Sequence, residues 1–191
     1  MAQTAANVRV GFDGAFYVSD TYPGTAPSDA ITALTGFTEV GYISDAGVTK
    51  SHEDDVNEIV AWQRADVVRK TITKSDVSFQ FNIIETNKLA VELYYGAKLE
   101  ADNKSLKEVG FKPVRMSACL DVIDGEYVHR MFLPEAEVVE RGDMTFVTED
   151  AVAYDLTVTA YPDTSQVKIY HYWSDVVAGA TGLGRISASD K

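Results

Sequence analysis

A chain of 191 residues is long enough for one domain with a sizeable core and short for two. Its hydrophobic content of 46%, with ten Tyr and eight Phe, is that of a folded globular protein rather than a disordered one. The net charge of −12, from 29 acidic against 17 basic residues, argues against adhesion to nucleic-acid phosphates or anionic membranes, which requires clustered Lys and Arg.

A single cysteine, Cys119, excludes an internal disulfide framework and points to a reducing compartment. The opening MAQTAANVRVGF has no basic segment leading into an apolar one, so no secretory leader is expected. Nothing approaches the roughly 20 apolar residues that cross a bilayer. The expectation is a soluble, single-domain protein made in the cytoplasm. Its domain should run over residues 10–162, between an N-terminal arm, 1–9, and a C-terminal arm, 163–191.

In chain order, residues 10–18 (VGFDGAFYV) suggest a short strand. Residues 19–36 carry Pro23, Gly24, Pro27 and Gly36 without a sustained period, which predicts a long loop with one helical turn at 29–34. Loops of that length usually serve a function or meet a partner. Residues 37–44 return to an extended pattern. The stretch 47–87 then joins an acidic polar segment, a short Ile59-Val60-Ala61-Trp62 strand, a basic run and an alternating strand. It reads as an exposed hairpin on a solid β-structure, with residues 49–59 as a mobile loop between strands. In the strand at 77–84, Val77, Phe79, Phe81 and Ile83 point one way and Ser78, Gln80 and Asn82 the other.

A short helix follows. Thr86 or Asn87 can cap it, Leu89 and Leu93 share a face, and Gly96 suits its end. Alternation at 112–123 and 126–137 around Asp124-Gly125 predicts a hairpin with a two-residue type I′ turn. Residues 151–161 form a last clear strand, and 166–173 a further candidate. Short strands with turn signals and one helix predict a mainly β fold, a β-sandwich or partly closed barrel with one flanking α-helix.

No catalytic pattern emerges. His52, His129 and His171 are scattered in sequence, and one cysteine cannot supply a thiolate cluster. The chain has no G-x-S-x-G, no P-loop and no strand-embedded G-x-G-x-x-G. The carboxylates (Glu53, Asp54, Asp55 and Glu58; Glu135, Glu137, Glu140, Asp143, Glu149 and Asp150) come in runs rather than as an isolated pair. Neither an enzyme nor a cofactor or metal site is expected. Trp62 and Trp173 suit either the core or an interface, where aromatic residues and Arg are enriched.

Two segments carry a family resemblance: SDAGVTKSHEDDVNEIVAWQRADVVRK (44–70) and SDVSFQFNIIETNKLAVELYYG (75–96). A small-residue turn precedes a T-K-S strand, an acidic stretch and an I-V-A-W-Q strand. A V-V-R strand follows, then F-x-F, I-E-T-N and a helix closing in Y-G. This order resembles the major tail protein (tail tube protein) of long-tailed, non-contractile bacteriophages, over 36–96 and more loosely to 161. The resemblance implies a phage tail tube fold related to the tubes of contractile injection machines. It also implies stacked, usually hexameric rings whose inner strands join into one intersubunit β-barrel around a channel for DNA ejection.

The implied role is that of a structural virion protein in the phage tail. Its partners are other copies of itself, the tape measure protein, the tail terminator and the distal tail protein. DNA passes the lumen without specific binding, and no membrane is involved. Luminal carboxylates would repel phosphates. On this reading Thr49, Lys50, Ser51, His52, Glu53, Asp54, Asp55, Val56, Asn57 and Glu58 form an inter-ring loop, and Trp62, Arg64, Arg69 and Trp173 are interface candidates. The rivals are a ring-forming tail terminator, a secretion-system tube protein, and a virion carbohydrate-binding β-sandwich using Trp62, Trp173, Tyr170 and Tyr172.

Overall fold

The computed structural model describes residues 5–175. Its strands are β1 (Asp13–Ser19), β2 (Thr38–Glu39), β3 (Ile43–Val60), β4 (Val67–Ile83), β5 (Arg115–Asp124), β6 (Tyr127–Arg141), β7 (Tyr154–Tyr161) and β8 (Tyr170–Trp173). Among the described residues there is one α-helix, α1, which spans Lys88–Tyr95. The strands make a single antiparallel sheet in the order β2-β1-β5-β6-β7-β4-β3, with β8 on β6. The protein is mainly β, as expected, and its sheet is not closed into a barrel.

Alternation explains the core. Val77, Phe79, Phe81 and Ile83 of β4 are all buried, as are Tyr154, Leu156, Val158 and Ala160 of β7. The sheet curls until its far strands face each other, so Phe16 of β1 meets Phe81 of β4 at 4.4 Å between ring centroids. One strand serves both layers. On one side β6 pairs with β5; on the other it pairs first with β8, through His129–Phe132, and then with β7, from Glu135 onward. Pro134, which has no N–H to offer a ladder, sits at that changeover. Its carbonyl accepts from Gly24 N (2.9 Å) and Ser117 Oγ (2.9 Å).

The helix forms where expected. The Asn87 side chain accepts from Ala90 N at 2.8 Å, and Gly96 closes the helix at φ 61°. Ala90 and Leu93 enter the core, while Tyr94 packs edge-on to Tyr154 and donates to the Gly142 carbonyl.

The loop before β2 holds no helical turn at 29–34. Asp29 instead accepts from Ile31 N, Thr32 N and the Thr32 hydroxyl, and these bonds, led by that from the Thr32 backbone N–H, bring its carboxyl down to about 2. The loop is tied to the outer face of β5 and β6. There Arg130 donates to Thr32 O (2.6 Å) and Asp29 O (3.3 Å). The same buried guanidinium makes a two-pronged pair with Asp121, 2.7 Å on each prong, and the fully buried Cys119 thiol lies 3.8 Å from Asp121.

The hairpin turn is shifted by one residue. Asp124 pairs with Tyr127, so the central residues are Gly125 and Glu126, and only Gly125 has positive φ (62°). That suits a II′ rather than a I′ turn. Asp124 ends β5, where its carboxylate accepts from Val10 N.

Candidate assembly surfaces

The largest departure from expectation is residues 49–59. They are not a loop but the middle of β3, paired with β4 from Val48↔Phe81 to Val60↔Val67, with one extra β4 residue at Thr73 and another at Val68. β7 covers β4 only over Val77–Ile83. Beyond that, residues 52–76 are a free two-stranded ribbon with nearly every side chain exposed. Val56, Ile59, Val60, Val67, Val68 and Ile72 all lie bare on it. Such a ribbon has too little burial to be rigid alone. Ion pairs Lys70–Glu58 (2.5 Å) and Lys74–Asp76 (2.6 Å) cross or line its faces.

At the ribbon tip Trp62 is 96% exposed, which removes it from the core. Arg64 makes a loose 3.7 Å pair with Asp66, both well exposed, and Arg69 lies opposite Ile59. Arg64 and Ala65 adopt φ of 60° and 55°, a left-handed region that costs non-glycine residues about 1 kcal/mol or more each.

At the ribbon root the C-terminal segment clamps the hairpin. Lys168 donates to the Ser75 carbonyl and lies 3.6 Å from Asp76. Lys50 Nζ lies 3.3 Å from His171 Nε2, and His171 Nδ1 lies 3.0 Å from His129 Nε2. Trp173, the remaining interface candidate, stacks on His129 at 4.7 Å and is half-exposed. A lysine ammonium only donates, so His171 Nε2 accepts from it; its Nδ1–H then donates to His129, and both rings stay neutral. Burial first, then the charges of Lys50, His129 and His52, brings His171 down to about 4; burial and Lys50 lower His129.

An unfolded histidine titrates near 6.5. Between 6.5 and 4 the unfolded chain therefore binds a proton that the folded chain refuses. This contribution to stability is complete above pH 6.5 and is lost as pH falls towards 4. Discounted for solvent screening, it is on the order of 1 kcal/mol. The native chain should lose a few more degrees of Tm between pH 7 and 4.5 than His171→Gln. Parallel Tm profiles would remove the histidines from any such role. Sequence reading missed this cluster because its members are far apart in the chain and meet only through the β6–β8 and β3 packing.

A continuous polar face covers the outside of the layer β6–β7–β4–β3. Opposed pairs Glu137↔Thr159, Glu140↔Thr157, Gln80↔Thr157, Asn82↔Asp155, Thr49↔Gln80 and Ser51↔Ser78 place these side chains together. Its carboxylates are Glu135, Glu137, Glu140, Asp155 and, at the ribbon root, Asp76; Arg115 is engaged with Glu135 at 3.3 Å, and Lys74 and Lys168 with Asp76, which leaves the carboxylates in excess. The face is therefore acidic. Both borders of this layer are open among the described residues: the outer edge of β3, and β6 past Glu137, whose partner Arg115 is the first residue of β5.

Two grooves lie at the start of β3. β3 advances from Ile43 to Val48 while β4 advances only from Ile83 to Phe81, so residues 44–47 bulge outward. On one side of the bulge is a groove of about 540 Å³, with Phe12 and Tyr42 exposed at its mouth. On the other is one of about 550 Å³ that includes Asp143 and Asp150.

Among the described residues no group of three or more His, Cys, Asp or Glu is placed to hold a metal ion. No helix there is long and apolar enough to cross a membrane. The parts of the expected terminal arms at 1–4 and 176–191 lie outside the described residues. No curated protein matches the chain in sequence. The family model described as phage tail tube protein matches residues 1–182. With that match spanning nearly its whole length, the chain belongs to the phage tail tube protein family.

Proposed function

We propose that this structural tail protein polymerises as stacked six-membered rings into the tube through which DNA leaves the virion. The observation that carries the reading is the four-stranded layer β6–β7–β4–β3, acidic and polar outside, apolar inside and open at both borders. An open sheet edge invites pairing, and two unlike edges on one layer pair head to tail, which closes into a ring when the rotation permits. The β3 edge of one copy joins the β6 end of the next, and the polar face lines the channel. Glu135, Glu137, Glu140 and Asp155 then repel passing phosphates, so the genome slides without adhering.

The ribbon carries the contact between rings, with Thr49–Glu58 along one strand and Trp62, Arg64 and Arg69 near its tip. The tape measure protein fills the channel before ejection, and the terminator and distal tail protein bound the tube. Trp173 belongs to the clamp at the ribbon root and contributes to assembly by holding that root in place.

Electron microscopy of the purified, concentrated protein tests this reading. Long hollow tubes are expected, with β7 and β4 facing the channel in the reconstruction. Single-layered rings would favour a terminator. A chain that stays monomeric at every concentration would overturn self-assembly.

A further inference from the structure

The two ends of β3 differ in a complementary way. At one end the ribbon tip bears the exposed Trp62 ring and the Arg64 guanidinium, held forward by two consecutive left-handed residues. The chain reverses there, closed by Ala61 N donating to Asp66 O, so the tip residues project into solvent away from the sheet. At the other end the 540 Å³ groove opens between Phe12, 86% exposed, and Tyr42, 77% exposed, with Asp13, Glu39 and Asp45 along it and no Lys or Arg. Exposed aromatic rings gathered at a groove mark an interaction site. An aromatic side chain beside a guanidinium is the partner that such a groove fits, through ring packing and charge-assisted hydrogen bonds to carboxylates. At about 3.3 Å per residue these two features stand on the order of 50 Å apart along one strand, so one copy cannot satisfy its own groove.

We infer that Trp62 and Arg64 of one copy seat in the Phe12–Tyr42 groove of a second copy in the next layer, joining copies tip to base. The inference rests on the polymerisation reading and assigns its axial contact to particular residues. Arg64 exchanges its loose partner Asp66 for the carboxylates of the groove. Because tip and base are unlike, the stack has a direction, and each end of a growing tube exposes only one half of the contact.

Charge reversal tests it on the full chain. Arg64→Glu and Asp45→Arg, each at an exposed position, should each raise the concentration needed for tube growth about tenfold, and the double variant should recover most of that loss. In a second test, Gln63→Cys with Ala46→Cys should give, on oxidation, a ladder of linked chains longer than any single ring. A contact within rings would instead stop at the ring number. Tubes from either single variant at the unchanged concentration, a double variant no better than the singles, or a ladder ending at one ring would each overturn the assignment while leaving tube formation standing. If the unsubstituted chain makes no tubes, the polymerisation reading fails first and takes this inference with it.

Discussion

Removing residues 55–74 and joining Asp54 to Ser75 through Asn-Gly is expected to give a folded monomer that forms no tubes. Asp54 and Ser75 are directly opposed, so a two-residue turn can close the shortened hairpin there. The removed residues supply none of the buried core. The melting temperature should therefore stay within a few degrees of the native value, because substitutions away from packed features change stability little. On the proposed stacking, assembly should be lost altogether, since exposed ribbon side chains such as Val56, Ile72 and Trp62 would find burial only in a neighbour. Sedimentation and electron microscopy read this directly. A truncated chain that still grew long tubes would show that stacking runs through other surfaces.

Asp121→Ala should be strongly destabilising for a polar substitution, at about 3–5 kcal/mol. The Arg130 side chain is 6% exposed and that of Asp121 9%, so removal of the carboxylate strands a guanidinium in a site where water cannot reach it. Typical domains have only about 5–15 kcal/mol of stability in total. The loss also reaches the loop that precedes β2. Arg130 holds the carbonyls of Asp29 and Thr32, and a displaced guanidinium releases both. Urea unfolding should show a much lower midpoint, and protease should cut within residues 20–37 before the domain unfolds. A loss under about 1 kcal/mol would mean that the pair is solvated after all. Asp121→Leu with Arg130→Met should recover part of the core stability but leave the loop untethered.

The parts of this fold that could be read from sequence are those where one side of a strand meets the core. Phe79, Phe81, Leu156 and Val158 announce themselves because burial imposes a period of two. In residues 52–59 that signal is missing, since neither face of the ribbon there packs on the core, and a polar strand without a core looks like a loop. The expected helical turn at 29–34 failed for a related reason. Asp29 satisfies its neighbours' N–H groups through its side chain, which competes with a helical path. Pairing Asp124 with Tyr127 moved the hairpin turn onto Gly125, a choice that a dipeptide preference cannot make alone.

The acidic face was only half visible. Alternation gave Gln80 and Asn82 an outward direction, but the grouping of Glu137, Glu140 and Asp155 beside them depends on strand order. The groove at Phe12 and Tyr42 depends on it too, because β1 and β3 are brought together only by the curl of the sheet.

Cys119 is the only native thiol, and it is sealed within β5. Burial, with the Asp121 carboxylate adding, pushes its ionisation well above the usual thiol range, so the nucleophilic thiolate is withheld at neutral pH. The wild-type chain is thus a blank background for maleimide chemistry. One cysteine introduced on an exposed strand would be the sole attachment point in each copy, and a polymer of such copies would display dyes or catalysts at a spacing dictated by the protein lattice.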